Sequence, residues 1–176
     1  MKNLKVIAMA VLALSFFSFT IVKDKQVKVD ESTITWTGKK VTGQHVGTIN
    51  LESGVLKFKG NDLSGGNFVI DMTTISVTDL EGKGKKSFEG HIKSDDFFGV
   101  ENHKKADLII TKVSKTDNKT FEVDGKITIK GITRATSFTM VIDGNTATTS
   151  LTIDRTKFGI KYGSVSYTHL TLPTKA

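Results

Sequence analysis

The 176-residue chain contains no cysteine. That absence excludes disulfides, thiolate chemistry and cysteine-held metals, and it leaves no thiol for a lipoprotein anchor. There is a single proline, Pro173, so the long alternating tract before it is free of the residue that removes ladder donors. Arginine is scarce: only Arg134 and Arg155 stand among 25 basic residues. Nucleic-acid surfaces favour arginine with interleaved aromatics, so the formal net charge of +7 reads as a solvated lysine surface rather than a nucleic-acid interface. Weak, transient attraction to anionic membrane surfaces is compatible with that charge. Long apolar runs are also missing. The longest, Val6 to Phe19, has 14 residues interrupted by Ser15 and Ser18, short of the roughly 20 that a membrane helix needs.

What is present begins with a leader. Lys2 and Lys5 precede that apolar run, and Ser18-Phe19-Thr20 is the nearest small-x-small pattern. Residues 1–20 therefore read as a secretory signal, with an uncleaved anchor as the alternative. The expected location is bacterial and exported, periplasmic or secreted. Removing Lys2 and Lys5 takes the net charge from +7 to +5. The length and the hydrophobic content of 38% fit one domain with a sizeable core.

Period-two alternation dominates after the leader. Ile34 and Trp36 share a face within Thr33–Thr37, and Phe68, Ile70 and Met72 alternate against Val69, Asp71 and Thr73. Glu52-Ser53-Gly54 and Asn61–Gly66 read as turns, as do Lys115–Lys119 and Asp143-Gly144-Asn145. Strands are expected at 107–113, 120–130, 136–142 and 146–154. Phe158, Ile160 and Tyr162 look like the start of one more. The rhythm breaks between Ser76 and His103, where a short helix is expected around Lys85–Lys93. Ser94 followed by Asp95 and Asp96 reads as a helix N-cap with acids in the first turn. Phe97 and Phe98 are neighbours and cannot share one sheet face, so they are expected to plant aromatic rings from a turn. About eight strands joined by short connections close most naturally into a barrel, which removes exposed edges.

Two clusters carry a resemblance. Gly43-Gln44-His45-Val46-Gly47 follows the first strand, and Gly90-His91-Ile92-Lys93-Ser94-Asp95-Asp96-Phe97-Phe98 lies between two halves of the alternating tract. With Gly125–Gly131 and Asp154–Ile160 they resemble, in order, the signature of the YceI-like family over residues 27–164. The resemblance implies an all-β fold: a single antiparallel, lipocalin-like β-barrel of about eight strands with a short helical insertion between the two halves. It also implies an apolar tunnel holding a polyisoprenoid or isoprenoid-quinone lipid, for carriage or sequestration.

Periodicity alone leaves the inward side chains as barrel filling. With the resemblance, Trp36, Phe58, Phe68, Ile70, Met72, Phe97, Phe98, Phe138 and Met140 are expected to line the tunnel. His45, His91 and Arg155 are expected to orient a headgroup, each with a structural role as the alternative. Burying about ten CH₂ equivalents at roughly 0.8 kcal/mol each gives about 8 kcal/mol, or micromolar affinity. No nucleophile elbow or phosphate loop appears, and adjacent acids such as Asp95 and Asp96 are usually caps. The expectation is a protein that is not an enzyme, without catalytic residues, metal or cofactor beyond its lipid. The alternatives are an enzyme or zinc-dependent factor using His45, His91 and Asp95, and a structural stress-response barrel without fixed ligand. Oligomeric state is not legible.

Residues 165–176 do not continue the pattern. Written as GTC-TCT-TAT-ACA-CAT-CT, the codons for Val165 to Leu170 resemble a transposon-end sequencing adaptor, so this tail is expected to be non-native. Pro173 and the surrounding threonines make it a poor candidate for a central strand.

Overall fold

A computed structural model describes residues 21–40, 43–161 and, as backbone, 167–175; the leader segment 1–20 lies outside the described residues. Among the described residues, nine strands form one antiparallel sheet: β1 (Val22–Gln26), β2 (Ile34–Lys40), β3 (Gly43–Lys59), β4 (Asp62–Val77), β5 (Lys105–Lys115), β6 (Thr120–Ile129), β7 (Ile132–Asp143), β8 (Thr146–Asp154) and β9 (Tyr167–Lys175). Helix α1 (Gly82–Lys93) is inserted between β4 and β5. The neighbour order is β3-β2-β9-β8-β7-β6-β5-β4, and β4 returns to β3. The sheet therefore curls into a ring of eight strands, as alternation implied. β1 is the ninth, lying on the second half of β3 through Val22↔Lys59 to Gln26↔Val55, along the edge that β2 uses further up. It was not legible because its side chains are nearly all exposed and show no apolar face.

Strand period two sorts the barrel's interior from its surface. Ile34, Trp36, Phe58, Phe68, Ile70, Met72, Phe121, Val123, Ile127, Ile129, Phe138, Met140, Leu151 and Ile153 are all buried in one core. Ile142, beside the β7–β8 hairpin, is half-buried.

Several local expectations are corrected. The chain does not turn at Glu52-Ser53-Gly54; β3 runs straight through with a register irregularity between Leu51 and Ser53. Gly54 is small because Phe68 and Val27 press on it, and a Cβ there would lie 2.9 Å from Phe68 Cδ1. The reversal expected over Asn61–Gly66 is confined to Gly60 and Asn61, where Gly60 supplies φ 64°. Ser94 ends a helix instead of starting one. Its N–H donates to the Gly90 and His91 carbonyls, and its Oγ donates to the His91 carbonyl, so it satisfies the orphan acceptors of α1. No strand starts at Phe158: residues 155–158 form a 3-10 turn closed by Gly159 at φ 75°, and Tyr162 lies outside the described residues.

The tail is also placed otherwise than expected. β9 pairs with all of β8, from Thr146↔Lys175 to Asp154↔Tyr167, and with β2 through Thr35↔Thr171 to Gly38↔Thr168. It is a central strand. Pro173 is tolerated because it lies beyond the stretch paired with β2, where β9 has β8 alone as a neighbour.

Candidate functional site

Helix α1 lies across one end of the barrel. Phe88 and Ile92 stand one turn apart on its inner face. Glu89 ties the helix to β4: Ser76 Oγ donates to Glu89 Oε1 at 2.7 Å and the Val77 N–H at 3.0 Å, with Lys85 Nζ 3.6 Å away. The Ser76 hydrogen bond leads in holding the Glu89 carboxyl below its ordinary range; burial opposes it, and the Val77 N–H and Lys85 add to it. Lys93 Nζ donates to the Thr73 carbonyl at 2.9 Å, fixing the other end.

The second glycine of Gly-x-His-x-Gly has a steric reason. A Cβ on Gly47 would sit 2.0 Å from the Ser76 carbonyl oxygen and 2.4 Å from Trp36 Cζ2. Without it, the indole lies flat on β3, donates from Nε1 to the Thr48 carbonyl at 3.2 Å, and stacks on Phe88 with centroids 6.4 Å apart. The His45 ring lies tilted against Phe88 with centroids 4.4 Å apart, and its Nδ1 is 3.1 Å from Asp79 Oδ2. Burial alone would raise the Asp79 carboxyl. Hydrogen bonds from the Val46 N–H and from His45 outweigh it, so the group is held below its ordinary range.

Beneath α1 lies a cavity of about 110 Å³. Its walls are Trp36, Ile70, Met72, Leu151 and Ile153 from the strands. Its roof is Phe88, Ile92, Phe97 and Phe98, and Phe158 and Ile160 close one flank. Phe97 and Phe98 meet edge to face at 4.8 Å, planted from a turn as expected. Among the described residues bordering this space, Arg155 is the only charged one; it is 6% exposed, with its guanidinium carbon 5.3 Å over the Phe97 ring.

Of the expected tunnel residues, Trp36, Ile70, Met72, Phe97 and Phe98 therefore border one space. Phe58, Phe68, Phe138 and Met140 do not; they are buried elsewhere in the core. Of the expected headgroup residues, only Arg155 reaches the cavity. His45 and His91 stand behind its aromatic roof, against Phe88 and Phe97 respectively. Among the described residues, no group of three His, Asp or Glu is placed to hold a metal, and His45 is engaged by Asp79. Phe88, Ile92, Phe158 and Ile160 were not singled out as site residues. The i, i+4 spacing of Phe88 and Ile92 is a helical signal that could have found the first pair. The alternation of Phe158 and Ile160 reads as a strand start, and nothing in it points to a site.

The YceI-like domain family matches residues 26–173. Among solved structures, the crystal structure of BcnA from Burkholderia cenocepacia is 19% identical, covering 85% of this chain and 99% of that one, with a TM-score of 0.71. The YCEI protein of Campylobacter jejuni is 15% identical, covering 100% of this chain and 98% of that one, with a TM-score of 0.55. At such identities these likenesses speak for the fold. Comparison with curated protein sequences returned no match.

Proposed function

The chain belongs to the YceI-like domain family, a lipocalin-like barrel fold associated with polyisoprenoid binding, and from that premise we propose an exported, non-enzymatic protein that holds an isoprenoid lipid in its barrel. The observation that carries this is the cavity under α1: lined by aliphatic and aromatic side chains, with Arg155 the one charged residue among the described residues that border it. Such a space selects an apolar chain, and the guanidinium faces whatever polar end that chain has. A polyisoprenoid or a quinone with an isoprenoid tail has this form. The ligand is carried or sequestered, and the lysine-rich surface assists brief contact with anionic membranes.

Size sets the affinity. A dry engineered cavity of about 150 Å³ accepts benzene, so 110 Å³ takes about one isoprene unit. Five carbons at roughly 0.8 kcal/mol each give about 4 kcal/mol, which is millimolar. Micromolar binding needs about twice that burial, so a long chain must occupy more space than the empty barrel offers.

Native mass spectrometry of protein purified from an exporting host, followed by lipid extraction, tests the proposal. A stoichiometric alkenyl lipid is expected. An empty barrel, or bound zinc with turnover of a lipid, would overturn it.

A further inference from the structure

Three two-residue turns close hairpins among the described residues: Gly60-Asn61 inside Lys59↔Asp62, Lys130-Gly131 inside Ile129↔Ile132, and Gly144-Asn145 inside Asp143↔Thr146. Each enters the left-handed region at its first residue, with φ 64° at Gly60, 61° at Gly144 and 51° at Lys130. Glycine takes that conformation freely, whereas a Cβ there crowds the following carbonyl. With Gly131 at φ 72°, the Lys130 turn is positive at both positions, the geometry that asparagine or aspartate before glycine serves best. Lys130 is the one non-glycine with positive φ among the described residues. The turn itself does not ask for lysine, so the reason lies in what the side chain reaches.

Lys130 is half-buried, and its Nζ donates to the Asp95 carbonyl at 2.5 Å. Its stem runs past Gly99, where an added Cβ would lie 3.5 Å from Lys130 Cε and 3.1 Å from Asp95 Oδ1. Asp95 opens the turn that brings Phe97 and Phe98 into the cavity roof. That turn coheres with the end of α1. The Phe97 and Gly99 N–H groups both donate to the Ser94 carbonyl, at 3.0 and 2.8 Å, and the Phe98 N–H donates to the Ile92 carbonyl at 3.1 Å. Holding the Asp95 carbonyl therefore holds both rings. Glu89 and Lys93 tie the roof to β4, and Arg155 lies over Phe97. Lys130 adds a tie to the β6–β7 hairpin, whose Ile127 and Ile129 line the same cavity.

We propose that Lys130 is a positioning residue of the lipid site: the β6–β7 turn keeps a strained lysine so that its ammonium clamps the Asp95–Phe98 turn, and with it Phe97 and Phe98, at a fixed height over the cavity. The proposal rests on the lipid-binding reading above. A non-glycine residue in the left-handed region persists where its surroundings hold it there, and a residue that suits the turn relieves the strain. Asparagine suits this turn, but its side chain is too short to replace the clamp. Arginine is long enough and keeps a charged donor for the carbonyl. The clamp matters because the cavity is small. In a space of about 110 Å³, a modest shift of the roof changes the room for an alkenyl chain by a large fraction.

Lys130→Asn in the full chain separates the turn from the clamp. Relief of the turn offsets the lost hydrogen bond, so the variant is expected to melt within about 2–4 °C of the parent. In the empty protein, amide hydrogen exchange over residues 95–99 is expected to speed up about tenfold, as local opening grows easier there, with the β5 and β6 amides unchanged. A long-chain polyprenol loaded from micelles and chased with phosphatidylcholine vesicles is expected to leave several-fold faster, read by native mass spectrometry. Lys130→Arg is expected to keep the parent's exchange and release. Lys130→Gly, which takes this φ without strain, repeats the comparison if Lys130→Asn does not fold. Parent-like exchange or release in Lys130→Asn, or a Lys130→Arg that matches it, would overturn the clamp while the lipid-binding reading stands. So would faster exchange spread over the whole barrel with a lower melting temperature. A parent chain that takes up no polyprenol would overturn that reading, and with it the role of Lys130 in a lipid site.

Discussion

Replacing Gly47 by alanine tests the steric account of the Gly-x-His-x-Gly cluster. The added methyl would stand 2.0 Å from the Ser76 carbonyl oxygen and 2.4 Å from Trp36 Cζ2. The first contact is backbone, so β3 and β4 would have to separate by at least an ångström where Gly47 pairs with Val77 and Thr48 with Ser76. The second would drive the indole off the strand. That displacement loses the Nε1 bond to Thr48 and the stack on Phe88. One hydrogen bond contributes about 1 kcal/mol and an aromatic pair about 0.5–1.5 kcal/mol. Overpacking and ladder strain add about 1–3 kcal/mol. The sum is about 3–5 kcal/mol, a large share of a typical domain's stability, and lowers the melting temperature by roughly 10 °C. Thermal and urea unfolding measure it. Trp36 is the sole tryptophan, so its fluorescence reports the local change in the same experiment. Gly65→Ala is the control: its nearest contact would be 4.0 Å, with Lys57 side-chain carbons. The reasoning fails if Gly47→Ala melts with the parent and keeps its emission spectrum.

Ile70→Trp and Met140→Trp should part company. Ile70 borders the cavity, so the bulkier ring fills it and abolishes lipid copurification in a folded barrel; Met140 is buried and does not border it, so the same change overpacks the core and costs about 1–3 kcal/mol in urea unfolding. Acid should loosen the roof. Asp79 and Glu89 both have folded pKa values below their ordinary ones, so their contribution is complete above about pH 4–5 and is lost as pH falls through the folded values. Unfolding followed from pH 6 down to pH 2 should show a stability loss that Glu89→Gln flattens; an unchanged slope in that variant would refute the assignment. Deleting residues 165–176 should bare the edges of β2 and β8 and yield an aggregating, less stable chain by size-exclusion chromatography and melting. A monomer with the parent's melting temperature would show that β9 is dispensable.

How much was legible depended on whether the information was local. Alternation is a property of neighbouring residues, and it identified the inward positions of β2, β4, β6, β7 and β8 because a strand sends successive side chains to opposite faces. Phe97 and Phe98 were readable as a turn for the same reason. Glycine was misread at Glu52-Ser53-Gly54, since a turn and a close-packed strand ask for the same small residue and only Val27 and Phe68, brought in from elsewhere, tell them apart. Ser94 was misread because its hydroxyl can serve either end of a helix, and the direction depends on which side the helix lies.

The all-β alternation, the helical interruption and the family motifs are carried by residues within a few positions of each other, and so can be read along the chain. Packing between distant strands is what separates Phe58, Phe68, Phe138 and Met140, which are buried away from the cavity, from Trp36, Ile70 and Met72, which border it. Strand period assigns a side chain to the inside but not to a depth along the axis; depth is set by register, and register by strands far apart in the chain. The same holds for His45, which meets Asp79 across 34 positions, and for β9, which joins β2 to β8 and so completes the ring.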